Sequence, residues 1–442
     1  MYTLKDMLHV KSIAVVGASN HSGKIGHTLL KNIIDGGFKG SIYPVNIKED
    51  NILGYKCYKD ILSIPEEIDL AVIAVPAVIV NNVIKEAGQK GAKGAIIISG
   101  GFKEIGNNDL EAEILETAEE FGMRIIGPNC QGVSYTANKM CATWPLIKEQ
   151  GFIGIVSQSG TIGAALSTWA EKDEMGISCF ASLGNKSDIS ETDFIEFFAE
   201  DPNTKVVALN LEGIQNGEVF VDVISRASQK KPIVVLKPGK TAKGMKAIAS
   251  HTKSIAGNDR IFSAFCRKYG VIRANDITEF YDFCKIAGSS KKPKGNKMLI
   301  ITSSGGAGII ATDTAEVNGI EIAPINEKLK KTLEDILPDQ CVISNPLDLT
   351  GDATADRYDK ALKAVIDDGS YDFLLTIFGD PILGANNAIS KYKNDIPIIV
   401  SYLGGGEIEE NEVKIMNKNN IPVFPTPERA VKAAKALLEL KI

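Results

Sequence analysis

Metal-ligand spacings are missing from this sequence. Its four histidines (9, 21, 27 and 251) form no His-x-x-x-His pair, and its seven cysteines (57, 130, 141, 179, 266, 284 and 341) contain no Cys-x-x-Cys. That pattern argues against a zinc site and against a disulfide framework, and it suits a reducing cytoplasm. No uncharged apolar stretch reaches the roughly 18 residues that a membrane span needs. The amino terminus Met1-Tyr2-Thr3-Leu4-Lys5-Asp6 lacks the charged-then-apolar layout of a signal peptide. Basic excess is absent too: 49 Lys and Arg face 55 Asp and Glu, for a formal net charge of −6. Nucleic acid is therefore not an expected partner, since it calls for a basic patch or stripe. The expectation is a soluble cytoplasmic protein with no metal, no membrane and no nucleic acid.

What is present is a pattern that occurs three times: an apolar run, a Gly/Ser turn, then a segment of helical period. The runs are 12–16, 152–156 and 297–302. The turns are Gly17-Ala18-Ser19, Ser157-Gln158-Ser159-Gly160 and Ser303-Ser304-Gly305-Gly306. Further β/α alternation follows each, with strands expected at 41–45, 70–75, 95–98 and 124–126, at 177–182, 206–211 and 232–236, and at 373–378, 396–401 and 423–424. Continuous apolar runs are the mark of parallel strands covered on both faces, and the alternation gives α/β domains. At 442 residues, the length suits about three of them. We expect three tandem Rossmann- or flavodoxin-like parallel-sheet domains, at 1–130, 131–288 and 297–442. A polar Gly/Pro/Lys linker at 288–296 separates the last two, and the pattern lapses between 129 and 151.

The first turn, Gly17-Ala18-Ser19-Asn20-His21-Ser22-Gly23-Lys24, misses two phosphate-binding motifs narrowly. A P-loop has four residues between its glycines and Ser or Thr after the Lys; here five intervene and Ile25 follows. The dinucleotide fingerprint needs Gly at 19, where Ser19 stands. A phosphate at the following helix N-terminus still fits. The second strand ends in Asn46-Ile47-Lys48, basic where an NAD site is acidic, which suits a phosphorylated ribose such as that of coenzyme A or NADP. Val75-Pro76 offers an apolar wall for an adenine ring, or is a plain turn. In Gly127-Pro128-Asn129-Cys130, the thiol is read as structural or substrate-lining in preference to a nucleophile, because no basic residue is near it in sequence.

The middle turn, with Ser157, Gln158, Ser159 and Gly160, leads straight into a helix and so presents N–H groups and hydroxyls to an anion. Glu212 follows the strand 206–211. It is either a surface carboxylate or the group that orients His251, which lies in Ser250-His251-Thr252-Lys253. A histidine held by a carboxylate keeps one ring nitrogen free to attack phosphorus. Lys237-Pro238-Gly239-Lys240 supplies a basic approach to that loop.

With these segments assembled, the chain resembles the α subunit of an ADP-forming acyl-CoA synthetase of the acetate–CoA ligase type, a relative of the succinyl-CoA synthetase α subunit. The resemblance also rests on Tyr43-Pro44-Val45-Asn46, Gly101-Phe102-Lys103-Glu104, Leu183-Gly184-Asn185-Lys186, Leu211-Glu212-Gly213 and Asn345-Pro346-Leu347-Asp348, in the family's order over the whole chain. It implies a CoA-binding domain followed by two succinyl-CoA-synthetase-like domains. Coenzyme A would lie around Gly17, Ser19, Lys24, Gly26, Asn46, Lys48, Val75, Pro76, Ser99, Asn129 and Cys130, with phosphate at 157–160 and catalysis by His251 and Glu212. Nothing in the chain reads as an ATP-grasp region. The resemblance therefore implies that ADP or ATP and Mg2+ bind a separate β subunit, in an α2β2 assembly, with a small carboxylic acid or its acyl-CoA as substrate. The sequence departs from the family at Ile47 (usually Pro) and Lys253 (usually Gly). An NADP-dependent oxidoreductase and a non-catalytic CoA-binding regulatory module are the alternative expectations.

Overall fold

Each of the three apolar runs opens a sheet in the computed structural model, which describes residues 1–252 and 258–441, the side chains of 249–252 excepted. In the first sheet the parallel strands lie in the order Ser41–Val45, Ser12–Val16, Leu70–Ile73, Gly94–Ile97 and Arg124–Ile126. Ile13, Ala14, Leu70, Ala71, Ala95 and Ile97 are fully buried, as strands covered on both faces require. The chain goes to one side of Ser12–Val16 first and to the other afterwards. The loops leaving this strand and Leu70–Ile73 therefore part, and a crevice opens at their carboxyl ends.

The second sheet runs Ile272–Ala274, Ile233–Leu236, Val206–Asn210, Gln150–Ser157, Ile177–Ser182, Gly132–Tyr135 and Met140–Thr143. Gln150–Ser157 occupies the same kind of switch point, with parallel neighbours on both sides. Its last two strands form an antiparallel hairpin in the stretch where the sequence pattern lapses. Four residues of mixed polarity carry no periodic signal, so burial of Val133, Tyr135, Met140 and Ala142 against the rest of the core decides their structure. A small hairpin, Asn51–Ile52 with Tyr55–Lys56, was equally silent in the sequence.

The third sheet, in the order Glu321–Ile322, Lys297–Thr302, Phe373–Phe378, Ile398–Tyr402 and Val423–Phe424, is parallel throughout, and Leu347–Asp348 pairs beside Lys297–Thr302. Two compact units result. One comprises 1–171 and 176–273 and holds the first two sheets; the other comprises 172–175 and 274–442. Helix Ile277–Ser289, which the sequence places ahead of the linker, belongs to this second unit. Asp282 accepts two bonds from Arg429, at 2.7 and 2.8 Å, and the Lys285 ammonium bonds Asp173 and the Val423 carbonyl, each at 2.7 Å. Buried charges must be paired, and the partners of these two lie in that unit.

Candidate active site

The loop after Ser12–Val16 is shaped by two glycines. Gly17 has φ +87°, and a Cβ on it would fall 2.3 Å from the Ala74 carbonyl oxygen. A Cβ on Gly26, in helix Ile25–Asp35, would fall 1.9 Å from the Gly17 carbonyl oxygen. Gly26 therefore supplies the close helix–strand packing that the third glycine of a dinucleotide fingerprint gives. The structure sorts the other expected contacts by role. Ser19 is buried and accepts from the His21 N–H; Asn46 donates to the Ala18 carbonyl at 2.8 Å and accepts from the Lys48 N–H at 2.8 Å. Ser99 exchanges bonds with the backbone N–H and carbonyl of Val75. These three side chains brace the crevice. Lys24, Lys48, Pro76 and Asn129 are exposed at it, and Val75 is half-buried. Ile25, Ile47, Val78 and Ile79, exposed apolar side chains, stand on the same carboxyl edge.

Cys130 corrects the expectation of a coenzyme A contact. Its thiol is buried in the core with Sγ 3.3 Å from the Ile97 carbonyl oxygen, and burial pushes its pKa up to about 12. The thiolate is the reactive form, so Cys130 is structural.

At the carboxyl edge of the second sheet, Ser182, Ser157, Asn210 and Leu236 stand side by side in register. Ser157 is another correction: fully buried, it accepts from the Asn210 amide at 3.0 Å and donates to the Ser159 carbonyl. It therefore shapes the turn and does not face a ligand. The Gln158 amide is also committed, donating to the Gly213 carbonyl at 2.8 Å and accepting from the N–H groups of Glu212 and Gly213. Ser159, Gly160 and Thr161 are left at the mouth, where helix Gly160–Lys172 begins.

The Glu212-Gly213 backbone is held by three side chains. Besides Gln158, the buried Lys186 ammonium donates to the Gly213 carbonyl at 3.0 Å and pairs with Glu191 at 2.9 Å. The Lys237 ammonium donates to the Glu212 carbonyl at 3.3 Å. Burial, with Arg273 nearby, lowers the pKa of Lys237. Neither lysine was given this role by the sequence. For Lys237 the visible signal was a charged residue just after an apolar strand, and for Lys186 one in the turn that follows such a strand, but nothing local names the partner. His251 lies in helix Ala242–Thr252; its side chain, and Lys253, lie outside the described residues.

The motifs of the two sheets interlock. Asn185 donates to Glu104 at 2.7 Å, and its own N–H bonds the Pro128 carbonyl at 2.9 Å. Glu104 caps the N–H groups of Gly101 and Phe102. Gly184, at φ +56°, lies so close that a Cβ would fall 2.1 Å from the Pro128 carbonyl oxygen. Segments 101–104, 127–130, 183–186 and 211–213 thus form one bonded layer running from the first crevice to the second turn.

Three family models match the chain: a CoA binding domain at 11–136, a succinyl-CoA ligase like flavodoxin domain at 150–287 and a ligase-CoA domain at 298–436. The α subunit of the ADP-forming acetate–CoA ligase I of Pyrococcus furiosus is 40% identical over 98% of this chain and 97% of its own. An ADP-forming 4-hydroxybutyrate–CoA ligase of Nitrosopumilus maritimus is 34% identical over 98% of this chain, which spans 63% of that protein. Among solved structures, the dinucleotide-forming acetyl-coenzyme A synthetase 1 of Candidatus Korarchaeum cryptofilum, in complex with phosphate and ADP, superposes with a TM-score of 0.92. It is 37% identical and is covered over 97% of its length by all of this chain. None of these matches supports an NADP-dependent oxidoreductase or a regulatory module.

Proposed function

This chain belongs to the α subunits of the ADP-forming acetate–CoA ligases, acid–thiol ligases, and from that premise we propose that it relays a phosphoryl group from an acyl phosphate to its own His251. The observation that carries the reading is the bonded layer joining the crevice at Gly17 to the turn at Ser159-Gly160, with Glu212 fixed beside that turn.

Coenzyme A fits the crevice. Gly17 and Gly26 let backbone approach a phosphate, Lys24 and Lys48 are exposed to meet further phosphates, and the apolar edge of Ile25, Ile47, Val78 and Ile79 suits adenine and pantetheine. A phosphate oxygen at Ser159-Gly160 attacks the thioester carbonyl carbon. The C–S bond breaks, and the sulfur leaves as the thiolate that becomes free coenzyme A. A ring nitrogen of His251 then attacks phosphorus, the bond to the acyl oxygen breaks, and the carboxylate departs. An oxygen of ADP, bound with Mg2+ on a separate ATP-grasp β subunit, takes the phosphoryl group to give ATP. The steps reverse for thioester synthesis. Glu212 accepts a hydrogen bond from the other ring nitrogen, which fixes the tautomer and balances charge on the ring. An α2β2 assembly in the cytoplasm completes the proposal; seven unpaired, buried cysteines suit a reducing compartment. The acyl group is that of a small carboxylic acid.

Phosphate-dependent ATP formation from a panel of acyl-CoAs, with the reconstituted αβ complex, tests the reading. No turnover with any thioester, together with no label on His251 from [γ-32P]ATP, would sink it. Two substitutions probe its parts. Glu212→Gln is expected to lower phosphohistidine yield by about 10²-fold to 10⁴-fold, and an unchanged yield removes the orienting role. Gly26→Ala places a methyl against the Gly17 carbonyl, at an overpacking cost of about 1–3 kcal/mol. Coenzyme A affinity, read by calorimetry, should fall at least tenfold while phosphohistidine formation from ATP persists.

A further inference from the structure

Among the described residues three lysines are buried: Lys186, Lys237 and Lys285. Two of them are paired, as buried charges must be. Lys186 has Glu191 at 2.9 Å and the Gly213 carbonyl at 3.0 Å; Lys285 has Asp173 and the Val423 carbonyl, each at 2.7 Å. Lys237, only 5% exposed, has no carboxylate partner among the described residues. An ammonium carries three N–H donors, and this one makes a single hydrogen bond to them, the long one of 3.3 Å to the Glu212 carbonyl.

Its surroundings sharpen the imbalance. Nζ lies 5.7 Å from the centroid of the Phe262 ring, and the Arg273 guanidinium lies 5.3 Å from the same centroid. An aromatic face gives a cation part of what a carboxylate would, but a second cation beside it takes some of that back. Asp259, the carboxylate whose charge reaches Lys237, is bonded by Arg273, which also donates to Ser263. Stability alone would favour an apolar side chain at 237.

Position identifies the anion that the ammonium lacks. Leu236 ends its strand in register with Asn210, and Asn210 bonds Ser157 of the phosphate turn at 3.0 Å. Lys237 follows directly. Its bond to Glu212 sets Nζ at the same carboxyl edge, beside the residue that orients His251 in the proposed relay. A phosphoryl group, with about two negative charges at neutral pH, passes there in that relay.

We propose that the Lys237 ammonium is the counter-ion of the phosphoryl group as it passes from the acyl phosphate to His251, which makes Lys237 a catalytic residue of that half-reaction. This rests on the phosphoryl-relay reading. As the imidazole nitrogen bonds phosphorus, the bond from phosphorus to the acyl oxygen breaks and its electron pair leaves with the carboxylate. Lys237 donates to the phosphoryl oxygens throughout and transfers no proton. A fixed cation in a water-poor site stabilises such charge without having to reorganise. The exchange between His251 and ADP, on the partner subunit, does not use it.

The test compares wild type with Lys237→Met in the reconstituted αβ complex, labelling His251 by two routes. The first is [32P]phosphate without ADP, plus the acyl-CoA that turns over fastest in the panel above. By this route the initial rate should fall about tenfold to a hundredfold, the range for a lost hydrogen bond to a charged group. The second is [γ-32P]ATP, which delivers the phosphoryl group from the nucleotide side, and here the rate should stay within about threefold of wild type. Coenzyme A affinity and the melting temperature should not fall, since methionine keeps the stem and removes the unpaired charge. Unchanged labelling from phosphate overturns the proposal. Equal loss by both routes overturns it too: with the melting temperature preserved, Lys237 is only a brace of the Glu212 backbone, and with a lower one it is structural. Wild type that takes no label by either route is a different result, and it defeats the relay reading.

Discussion

His251→Ala is expected to abolish ATP formation from acyl-CoA, phosphate and ADP, while the variant still binds coenzyme A with unaltered affinity. In the proposed sequence the imidazole nitrogen is the covalent carrier, and alanine offers nothing to phosphorylate; the loss is therefore complete, down to background. Coenzyme A binding should survive because the glycines, lysines and braces of its crevice lie at 17–26, 46–48 and 75–99, with bonding of their own. Acyl phosphate formation should survive for a single turnover, because that step needs only the crevice and the turn. The measurements are a calorimetric titration with coenzyme A, acid-labile 32P on the α subunit, and hydroxylamine trapping of acyl phosphate. Loss of coenzyme A binding in His251→Ala would show the histidine to be structural. Persistent ATP formation would show that phosphate passes to ADP without it.

How much of this was visible in the sequence depends on the range of the interactions involved. The long apolar strands of all three sheets were legible because a run such as Ile13-Ala14-Val15-Val16, buried on both faces, writes its environment into consecutive residues, whereas Ile272–Ala274, Glu321–Ile322 and Leu347–Asp348 were too short to do so. The Gly17 and Ser157 turns were legible because their position after such runs places them at a sheet's carboxyl edge. The hairpin Gly132–Tyr135 with Met140–Thr143 was not, because short strands of mixed polarity owe their form to distant packing. The site residues divide likewise. Gly17 can be named from its place after the first strand, and Gly26 only from the resemblance. That Ser157, Gln158 and Asn46 spend their polar atoms on the loops themselves is set by partners as much as 55 positions away. Helix Ile277–Ser289 closes the segment matched by the succinyl-CoA ligase like flavodoxin domain, yet the pairing of its Asp282 with Arg429, 147 residues later, is invisible in the sequence.

Lys186→Met should be the most damaging substitution outside the reacting groups, and it separates two jobs that one ammonium performs. Lys186 and Glu191 are both almost fully buried. Removing the cation leaves a carboxylate uncompensated, at a cost of about 3–5 kcal/mol, and it also frees the Gly213 carbonyl beside Glu212. The single variant should therefore unfold at lower urea and lose phosphohistidine yield together. In Lys186→Met/Glu191→Met no buried charge remains. Apolar replacement of a buried pair is often neutral or stabilising, so stability should return. Yield should not return, because the Glu212-Gly213 backbone then loses the Lys186 anchor while those of Gln158 and Lys237 remain, and with it part of its fixed direction. The two readouts are the urea midpoint and the labelling from [γ-32P]ATP in the αβ complex. Recovery of both in the double variant would reduce Lys186 to a counter-ion for Glu191. Recovery of stability alone assigns it the positioning of Glu212, the carboxylate proposed to orient His251.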